Sequence, residues 1–330
     1  MYNDNRAQQQ AEHIADLAPQ DTAAHGTSSG LAKALWLLQH LPKHSISRFV
    51  NQSDWIVGQL SGRFDLSDYN NCLKLGFDPI QRCWPEWLEP LGISCSQLPQ
   101  ALPPTRQLCA ISDKAGQQLG LSAKIPIIAG TTDSTAAIYA SGAKQPGDAV
   151  TSLGSTLVTK VISTVPIFSP ASGVYSQPFG EHWLVGGGSN SGGNVLRHYF
   201  TPEQMQAMSE LINPERSSGL DYYPLLTPGE RFPVCDPNLQ PRLEPRPESD
   251  TVFFHGLLEG IARIEKSAYQ KLHELGCPYP KRVYSAGGGA KNAVWTCIRG
   301  KILTSQMLLP EQQDAAYGTA VLARDGFLKI

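Results

Sequence analysis

One pattern, repeated along the chain, limits what it can fold into: an apolar run, a turn of small residues, and then a helix. Its first instance runs from Ile125 to Ala129, through Gly130-Thr131-Thr132-Asp133-Ser134-Thr135, into the alanine-rich Ala136-Ala137-Ile138-Tyr139-Ala140. Three strand–glycine units follow, at Ser152–Thr156, Gly186–Gly193 and Ala286–Asn292, the last two leading into helices. Strand–turn–helix units of this kind build layered α/β folds. Glycine lets a backbone approach a phosphate or a flat base, and helix starts favour anions. None of the turns is G-x-x-x-x-G-K-[ST] or G-x-G-x-x-G, which sets the Walker and dinucleotide loops aside. Asp133 has two readings: a cap on the helix that follows it, or a base that takes a proton from a substrate hydroxyl. Three glycine units downstream of one carboxylate-bearing turn point to a nucleotide held between two lobes, its terminal phosphate facing that carboxylate.

Composition excludes several alternatives. A chain of 330 residues suggests two domains. A net charge of −2 and a pI near 6.4 argue for neither nucleic acid nor an anionic membrane as partner. No apolar run approaches the length of a spanning helix, and Met1-Tyr2-Asn3-Asp4-Asn5-Arg6 contains no signal core. The seven cysteines (72, 83, 95, 109, 235, 277 and 297) form no C-x-x-C pair, which suggests free thiols in a reducing cytosol. The eight histidines form no H-E-x-x-H, so a dedicated metal cage is not expected.

In chain order, Ala7 to Leu17 is predicted to be a surface helix with a thin apolar stripe. Ser28-Ser29 precede Leu31-Ala32-Lys33-Ala34-Leu35-Trp36-Leu37-Leu38, whose apolar spacing fits a buried helix face, with Trp36 in the core. Asn51 to Leu60 reads as a helix capped by Ser53, with Trp55, Ile56 and Leu60 inward and Gly62 as its stop. Asp65 to Asn71 reads as a polar loop, and Ser112 to Leu119 as a helix ending at Gly120. Val150 to Ile162 reads as two strands joined at Gly154-Ser155. Residues 214–250, rich in Pro and Arg, read as a long surface loop. Phe253 to Leu275 carries the clearest helical stripe, at positions 254, 257, 258, 261, 264, 268 and 272. Arg282 to Ala286 is a strand, and Ala315 to Ala323 a closing helix.

With these residues in view, the chain resembles the FGGY carbohydrate kinases of the actin-like superfamily. Gly130-Thr131-Thr132-Asp133 resembles the family's catalytic-base segment and Ser152-Leu153-Gly154-Ser155-Thr156 its second phosphate loop. Ala286-Gly287-Gly288-Gly289-Ala290-Lys291-Asn292 resembles its adenosine loop, and Phe254-His255-Gly256-Leu257-Leu258-Glu259-Gly260-Ile261 its C-terminal signature helix. Lys33-Ala34-Leu35-Trp36, Asp54-Trp55 and Leu60-Ser61-Gly62 are similar to segments of its first lobe. Within the family, Asp221-Tyr222-Tyr223-Pro224-Leu225, Gly229-Glu230-Arg231-Phe232-Pro233 and Glu244-Pro245-Arg246-Pro247 resemble the xylulokinase-like D-ribulose kinases of cyanobacteria and plants.

The resemblance implies an α/β fold of two actin-like (ribonuclease H-like) lobes with a nucleotide cleft between them. Residues 1–145 would form a partial sugar-side lobe and 146–330 the ATP-side lobe. It implies phosphoryl transfer from ATP, with Mg2+ carried by ATP, to a primary hydroxyl of a ketopentose, D-ribulose first and D-xylulose next. Asp133 would be the base and a sugar contact. Gly154, Ser155 and Thr156 would meet the β- and γ-phosphates, and Gly288 and Gly289 the adenosine. Asn292 would bond the base; Trp295 would either wall the adenine or pack in the core. Tyr2 and Asp4 resemble the sugar-contacting W-x-D-x-R segment, the alternative being a frayed terminus. Glu259 and Glu265 read as structural and the arginines at 231, 242 and 246 as a solvated cluster. The family's D-F-G-T-S-type opening segment has no counterpart here. The first lobe is therefore expected to be incomplete, and the alternative function is an ATP-binding remnant with impaired turnover. The resemblance further implies a monomer or homodimer in the cytoplasm, or in the plastid for a plant protein. An actin-like ATPase is a third reading, which the first-lobe segments around Trp36 and Trp55 oppose.

Overall fold

The computed structural model describes residues 4, 6–42 and 45–329. It divides into two compact units, one drawn from Met1–Ala136, Gln177–Gly180 and Ala315–Ile330, the other from Ala137–Ser176 and Glu181–Asp314.

The first unit opens with helices α1 (Gln8–Leu17) and α2 (Gly30–His40). Ser29 caps α2 by accepting the Ala32 N–H at 3.0 Å. The buried stripe of α1, Ala11 and Ile14, packs against Leu31, Ala34 and Leu35 of α2. Each fully buried Ile or Leu here contributes about 1.5–3 kcal/mol. Trp36 is half-buried against this cluster and stacks on His40, with ring centroids 3.9 Å apart.

Helix α3 (Gln52–Ser61) ends at Gly62 as expected, with φ of 80°, but its start and its face differ from the sequence reading. The cap is Asn51, whose N–H donates to Asp54 Oδ2 at 2.7 Å, and not Ser53. Asp54 and Gly58 point inward, while Trp55 and Ile56 are 50% and 49% exposed. The Phe64 ring lies where a side chain at position 58 would stand, so Gly58 sets the helix's rotation. Asp65–Asn71 is also no polar loop. It contains β1 (Leu66–Asp68), paired in parallel with β2 (Gln100–Leu102), and the helical turn α4 (Tyr69–Cys72). Ser67 and Asn70 are buried there with partners from other segments, Asp54 and Pro178, while Asp68 accepts from Asn70 and Asn71 of its own segment.

Strand β3 (Gln107–Ala110), helix α5 (Asp113–Leu119, capped by Ser112 and stopped at Gly120) and strand β4 (Pro126–Ile128) follow. β3 and β4 pair antiparallel. β4 delivers the chain to α6 (Asp133–Ser141). The C-terminal helix, Ala315–Phe327, packs on β4 at Gly326, where a Cβ would come within 2.5 Å of Thr105 O.

The second unit is built on a sheet of β5 (Asp148–Leu153), β6 (Leu157–Ser163), β8 (His182–Ser189), β9 (Arg282–Ala286) and β10 (Gln306–Leu308); the edge strand β7 (Tyr175–Phe179) starts in this unit and ends in residues assigned to the first. Their order is β10-β9-β5-β6-β8-β7. β10, β9 and β5 run parallel, while β6 is antiparallel to both β5 and β8. The expected hairpin through Gly154-Ser155 is β5–β6.

Helices α7 (Gly193–Tyr199), α8 (Pro202–Leu211), α9 (Asp250–Glu274) and α10 (Ala293–Leu303) complete the unit. The expected stripe of α9 is buried in the core with Val195, Leu196 and Trp295. Two expectations change. Gly186–Gly188 lie inside β8 and not in a loop, because a side chain at 186 would collide with Thr159 O on β6. Residues 214–249 form no helix or strand, yet Tyr222, Leu225, Glu230 and Phe232 are buried within the segment, so it is not purely a surface loop.

Candidate functional site

β5 and β9 are parallel neighbours, with Ser152 opposite Ala286. The turns that follow them, Gly154–Thr156 and Gly287–Asn292, therefore leave the sheet side by side at the C-terminal ends of two parallel strands. In open α/β sheets ligands bind at that position. The two turns touch through their backbones. Gly287 has φ of 83°, and a Cβ on it would lie 2.9 Å from Leu153 C and O and 3.2 Å from Gly154 N. At Gly289 a Cβ would lie 2.5 Å from the Trp295 ring, whereas at Gly288 nothing stands within 4 Å. Packing thus demands glycine at 287 and 289, while the exposed backbone at 288 is open to a ligand.

The hairpin tip is held from its other side by the start of α7. Gly193 N–H donates to Gly154 O at 2.9 Å, Asn194 N–H to Ser155 O at 2.9 Å, and Leu157 N–H to Ser191 O at 2.8 Å. The Gly186–Gly193 segment is scaffolding: these two α7 N–H groups are already used. It also contributes a residue that the sequence reading missed. Arg197 Nη2 donates to Ser155 Oγ at 2.9 Å and to Asn194 Oδ1 at 2.7 Å, placing an exposed guanidinium on the tip of the hairpin. The sequence signal was Asn194 and Arg197 three apart on a helix leaving the glycines, a spacing that shares one face.

Asn292 caps α10. Its Oδ1 accepts the Trp295 N–H at 2.9 Å and its Nδ2 donates to Ser209 Oγ at 2.8 Å, leaving one amide N–H without a described partner. For Trp295 the structure takes the core alternative: the ring is 2% exposed, its Nε1 donates to Leu258 O at 3.0 Å, and it supports Gly289 from below.

A buried ionic network lies under both turns. Arg299 of α10 donates twice to Glu265 of α9, at 2.6 and 2.7 Å, and once to Ser285 Oγ of β9 at 2.8 Å. Glu265 also accepts from Thr151 Oγ1 of β5 at 2.5 Å, and Thr151 bonds Tyr269 OH at 2.7 Å. Burial opposes the charge on Arg299, but Glu265 beside it keeps the guanidinium protonated. Burial, and then Glu265, push the Tyr269 phenol up. Glu265 is structural, as its sequence context suggested. So is Glu259, which accepts Ser218 Oγ at 2.6 Å.

In the first unit, Asp133 is the first residue of α6 and is exposed, its Oδ1 accepting the Ser134 N–H at 2.6 Å. Thr132 sits at the cap position: its carbonyl accepts the Ala136 N–H at 2.9 Å. The carboxylate thus stands at the positive end of a helix without acting as its cap. The turn before it is fixed at both ends. Ala129 exchanges backbone bonds with Thr105 and Arg106 at 2.9 and 2.7 Å. Asn70 Nδ2 donates to Thr131 Oγ1 at 2.8 Å and to Pro178 O at 2.9 Å. Asn70 was not singled out from the sequence, because its partners lie 61 and 108 residues away.

Below Asn70, Asp68 Oδ1 accepts the N–H groups of Asn70 and Asn71 at 2.9 and 3.0 Å. Burial pushes the Asp68 carboxyl up to about 7, and Asp54 is raised by burial too. Asp4 is paired with Arg6 through bonds of 3.0 and 2.7 Å, and Arg6 stands 4.6 Å over the Trp36 ring. The hydrogen bond from Arg6 holds the Asp4 carboxyl well below the usual carboxylate range. Tyr2 lies outside the described residues. Among the described residues no group of three or more His, Cys, Asp or Glu side chains could hold a metal ion, and no helix is long and apolar enough to cross a membrane. All seven cysteines are free.

The chain is 22% identical over 309 residues to a gluconokinase of Bacillus licheniformis, an alignment covering 87% of this chain and 60% of that protein. It thus spans about three fifths of the length of such relatives. A ligand-bound xylulose kinase from Lactobacillus acidophilus superposes with a TM-score of 0.84 at 20% identity, covering all of this chain and 71% of that one. Plasmodium falciparum glycerol kinase with ADP gives 0.85 at 17% identity, covering 100% of this chain and 70% of that one. These likenesses show an actin-like α/β fold. Residues 1–140 match the N-terminal domain of the FGGY family of carbohydrate kinases and residues 149–324 its C-terminal domain, and the chain belongs to that family.

Proposed function

We propose that this chain phosphorylates a ketopentose at a primary hydroxyl with ATP as donor, D-ribulose being the first candidate and D-xylulose the second. The observation that carries the reading is the pair of glycine turns meeting backbone to backbone at the ends of parallel β5 and β9. The open backbone at Gly288 suits a nucleotide, since a flat adenosine can lie where no side chain stands. Gly289 continues that surface, and the free N–H of Asn292 is available to the base. Gly154, Ser155 and Thr156 hold the β- and γ-phosphates, and Arg197, tied to Ser155, adds positive charge to the same hairpin.

Asp133 takes the proton of the sugar hydroxyl. The oxygen's electron pair then forms the new bond to the γ-phosphorus, and the bond from that phosphorus to the leaving ADP oxygen breaks. Catalysis of this kind is mostly positioning and charge stabilisation. Mg2+ brought with ATP supplies further charge neutralisation on the phosphates. Asp4, held by Arg6, contacts the sugar, with Tyr2 two residues before it in sequence. The segments 221–225, 229–233 and 244–247 favour D-ribulose by their resemblance to ribulose kinases. Relatives named for gluconate, xylulose and glycerol define the other arms of the test.

The second reading is a nucleotide-binding chain without turnover, favoured by Asp4, whose two carboxylate oxygens both accept from Arg6. The test is ADP release with Mg-ATP and D-ribulose, D-xylulose, L-ribulose, gluconate or glycerol, using Asp133→Asn as control. Sugar-dependent turnover that falls by about 10²–10⁴ in the control supports the kinase. ATP binding with no turnover on any sugar selects the second reading, and absence of ATP binding rejects both.

A further inference from the structure

We propose that the second unit carries a separate site for a small organic phosphate, in a groove of about 680 Å³ between α9 and α10. Its size is that of a small-molecule pocket, but its lining is charged. On α9, Glu259, Arg263, Lys266 and Gln270 fall on one stripe. Ile298, Lys301 and Ile302 of α10 form the facing wall, and residues 214–217 close the third side.

The charges do not cancel. The lining holds the cations Arg216, Arg263, Lys266 and Lys301 against the anions Glu215 and Glu259. Both anions are engaged. Glu215 is paired with Lys301 at 2.5 Å, while Glu259 accepts from Ser218 and lies 3.7 Å from Arg263 Nη1. Arg216 and Lys266 are left without an acidic partner in the groove. Arg263 Nε is buried without a hydrogen-bond acceptor and lies 3.9 Å from Asp221 Oδ1, while its Nη2 donates to Leu220 O at 2.7 Å. In a protein of net charge −2 the positive excess of this lining rests on Arg216 and Lys266, Arg263 having the Asp221 carboxylate beside it outside the groove. A phosphate fits that excess, because guanidinium and ammonium groups make strong charge-assisted bonds to it. Ile298 and Ile302 offer an apolar floor to a short carbon skeleton, and Ser217, Ser267 and Gln270 offer partners to its hydroxyls.

The groove is distinct from the nucleotide turns. Lys301 lies nine residues beyond Asn292 on α10, about 13 Å along the helix axis. The inference does not depend on the proposed kinase activity.

Calorimetric titration of the full chain with ribose 5-phosphate, inorganic pyrophosphate and sulfate tests it. The same titrations are run on an Arg216→Ser/Lys266→Ser double variant and on Ser155→Ala. Saturable ribose 5-phosphate binding is expected, weakened about tenfold or more in the double variant and unchanged in Ser155→Ala. Circular dichroism melts of the double variant are expected to stay close to wild type, because Arg216 is exposed and Lys266 is only partly buried. Pyrophosphate binding as tight as that of the sugar phosphate would assign the site to the phosphate group alone and still support the proposal. No saturable binding, equal binding by the double variant, sulfate binding as well as ribose 5-phosphate, or loss that follows Ser155→Ala would each overturn it.

Discussion

Each unit hides carboxylates beneath the segment proposed to do chemistry, but the two solve the burial problem differently. In the second unit, Glu265 meets Arg299 in a two-pronged pair with both side chains fully buried, and neighbouring hydroxyls take up the remaining bonds. In the first unit, Asp54 and Asp68 are buried with N–H and O–H donors only, and Asp54 adds to the cost of ionising Asp68. A charge matched by a countercharge stays ionised; a charge met by dipoles alone shifts towards its neutral form. The scaffold of the glycine turns should therefore be indifferent to pH near neutrality, and that of the Asp133 turn sensitive to it.

The largest expected effect breaks the matched pair. Arg299→Met leaves Glu265 buried without its cation and should cost about 3–5 kcal/mol, read as a lower urea midpoint for the second unit. Adding Glu265→Leu should restore much of that loss. If the single variant melts like wild type, the pair is not what ties α9 and α10 to β5 and β9.

Next comes pH. Burial pushes the Asp68 carboxyl up to about 7 from its ordinary 3.8, so between these values the folded chain binds more protons than the unfolded one. Its contribution is fully present below about pH 4 and is lost as pH rises through about 7. Hydrogen exchange on residues 66–72 should therefore slow on acidification from pH 8 to pH 5, by an amount on the order of 2–4 kcal/mol. Asp68→Asn, with the Asn71 amide turned over to accept, should flatten that dependence and leave exchange in β5 and β9 unchanged. A slope that persists in Asp68→Asn would move the effect to Asp54.

The smallest effect on stability belongs to an exposed contact. Arg197→Ala should change the melting free energy by less than about 0.5 kcal/mol. Its effect on ADP affinity should be larger, about tenfold, because the contact with Ser155 orders the hairpin proposed to hold phosphate. Arg197→Lys should recover part of the affinity, since it keeps the charge and loses the fork.

The parts of this fold that could be read from the sequence are those in which apolar spacing and glycine carry the information. The stripe of α9, the hairpin through Gly154 and the strand into Ala286 followed from period and turn chemistry alone. The parts that could not be read are those in which a polar residue is buried by partners far along the chain. Asp54 turns α3 so that Trp55 and Ile56 face solvent, and Asn70 reaches Thr131 and Pro178 across long sequence separations. Trp295 was open to two readings because an aromatic one turn into a helix serves equally as a wall for a base or as core. Arg197 was passed over because its partner, Ser155, lies 42 residues away on another element.

The contact of Gly287 with Leu153 has a thermodynamic corollary. Two turns that share a van der Waals surface cannot fluctuate independently, so a nucleotide would meet a saddle already in shape and spend little of its affinity on ordering loops. That saddle has no slack. A single methyl at 287 would have to displace the backbone of β5, and the displacement would travel into the hairpin before any ligand arrived.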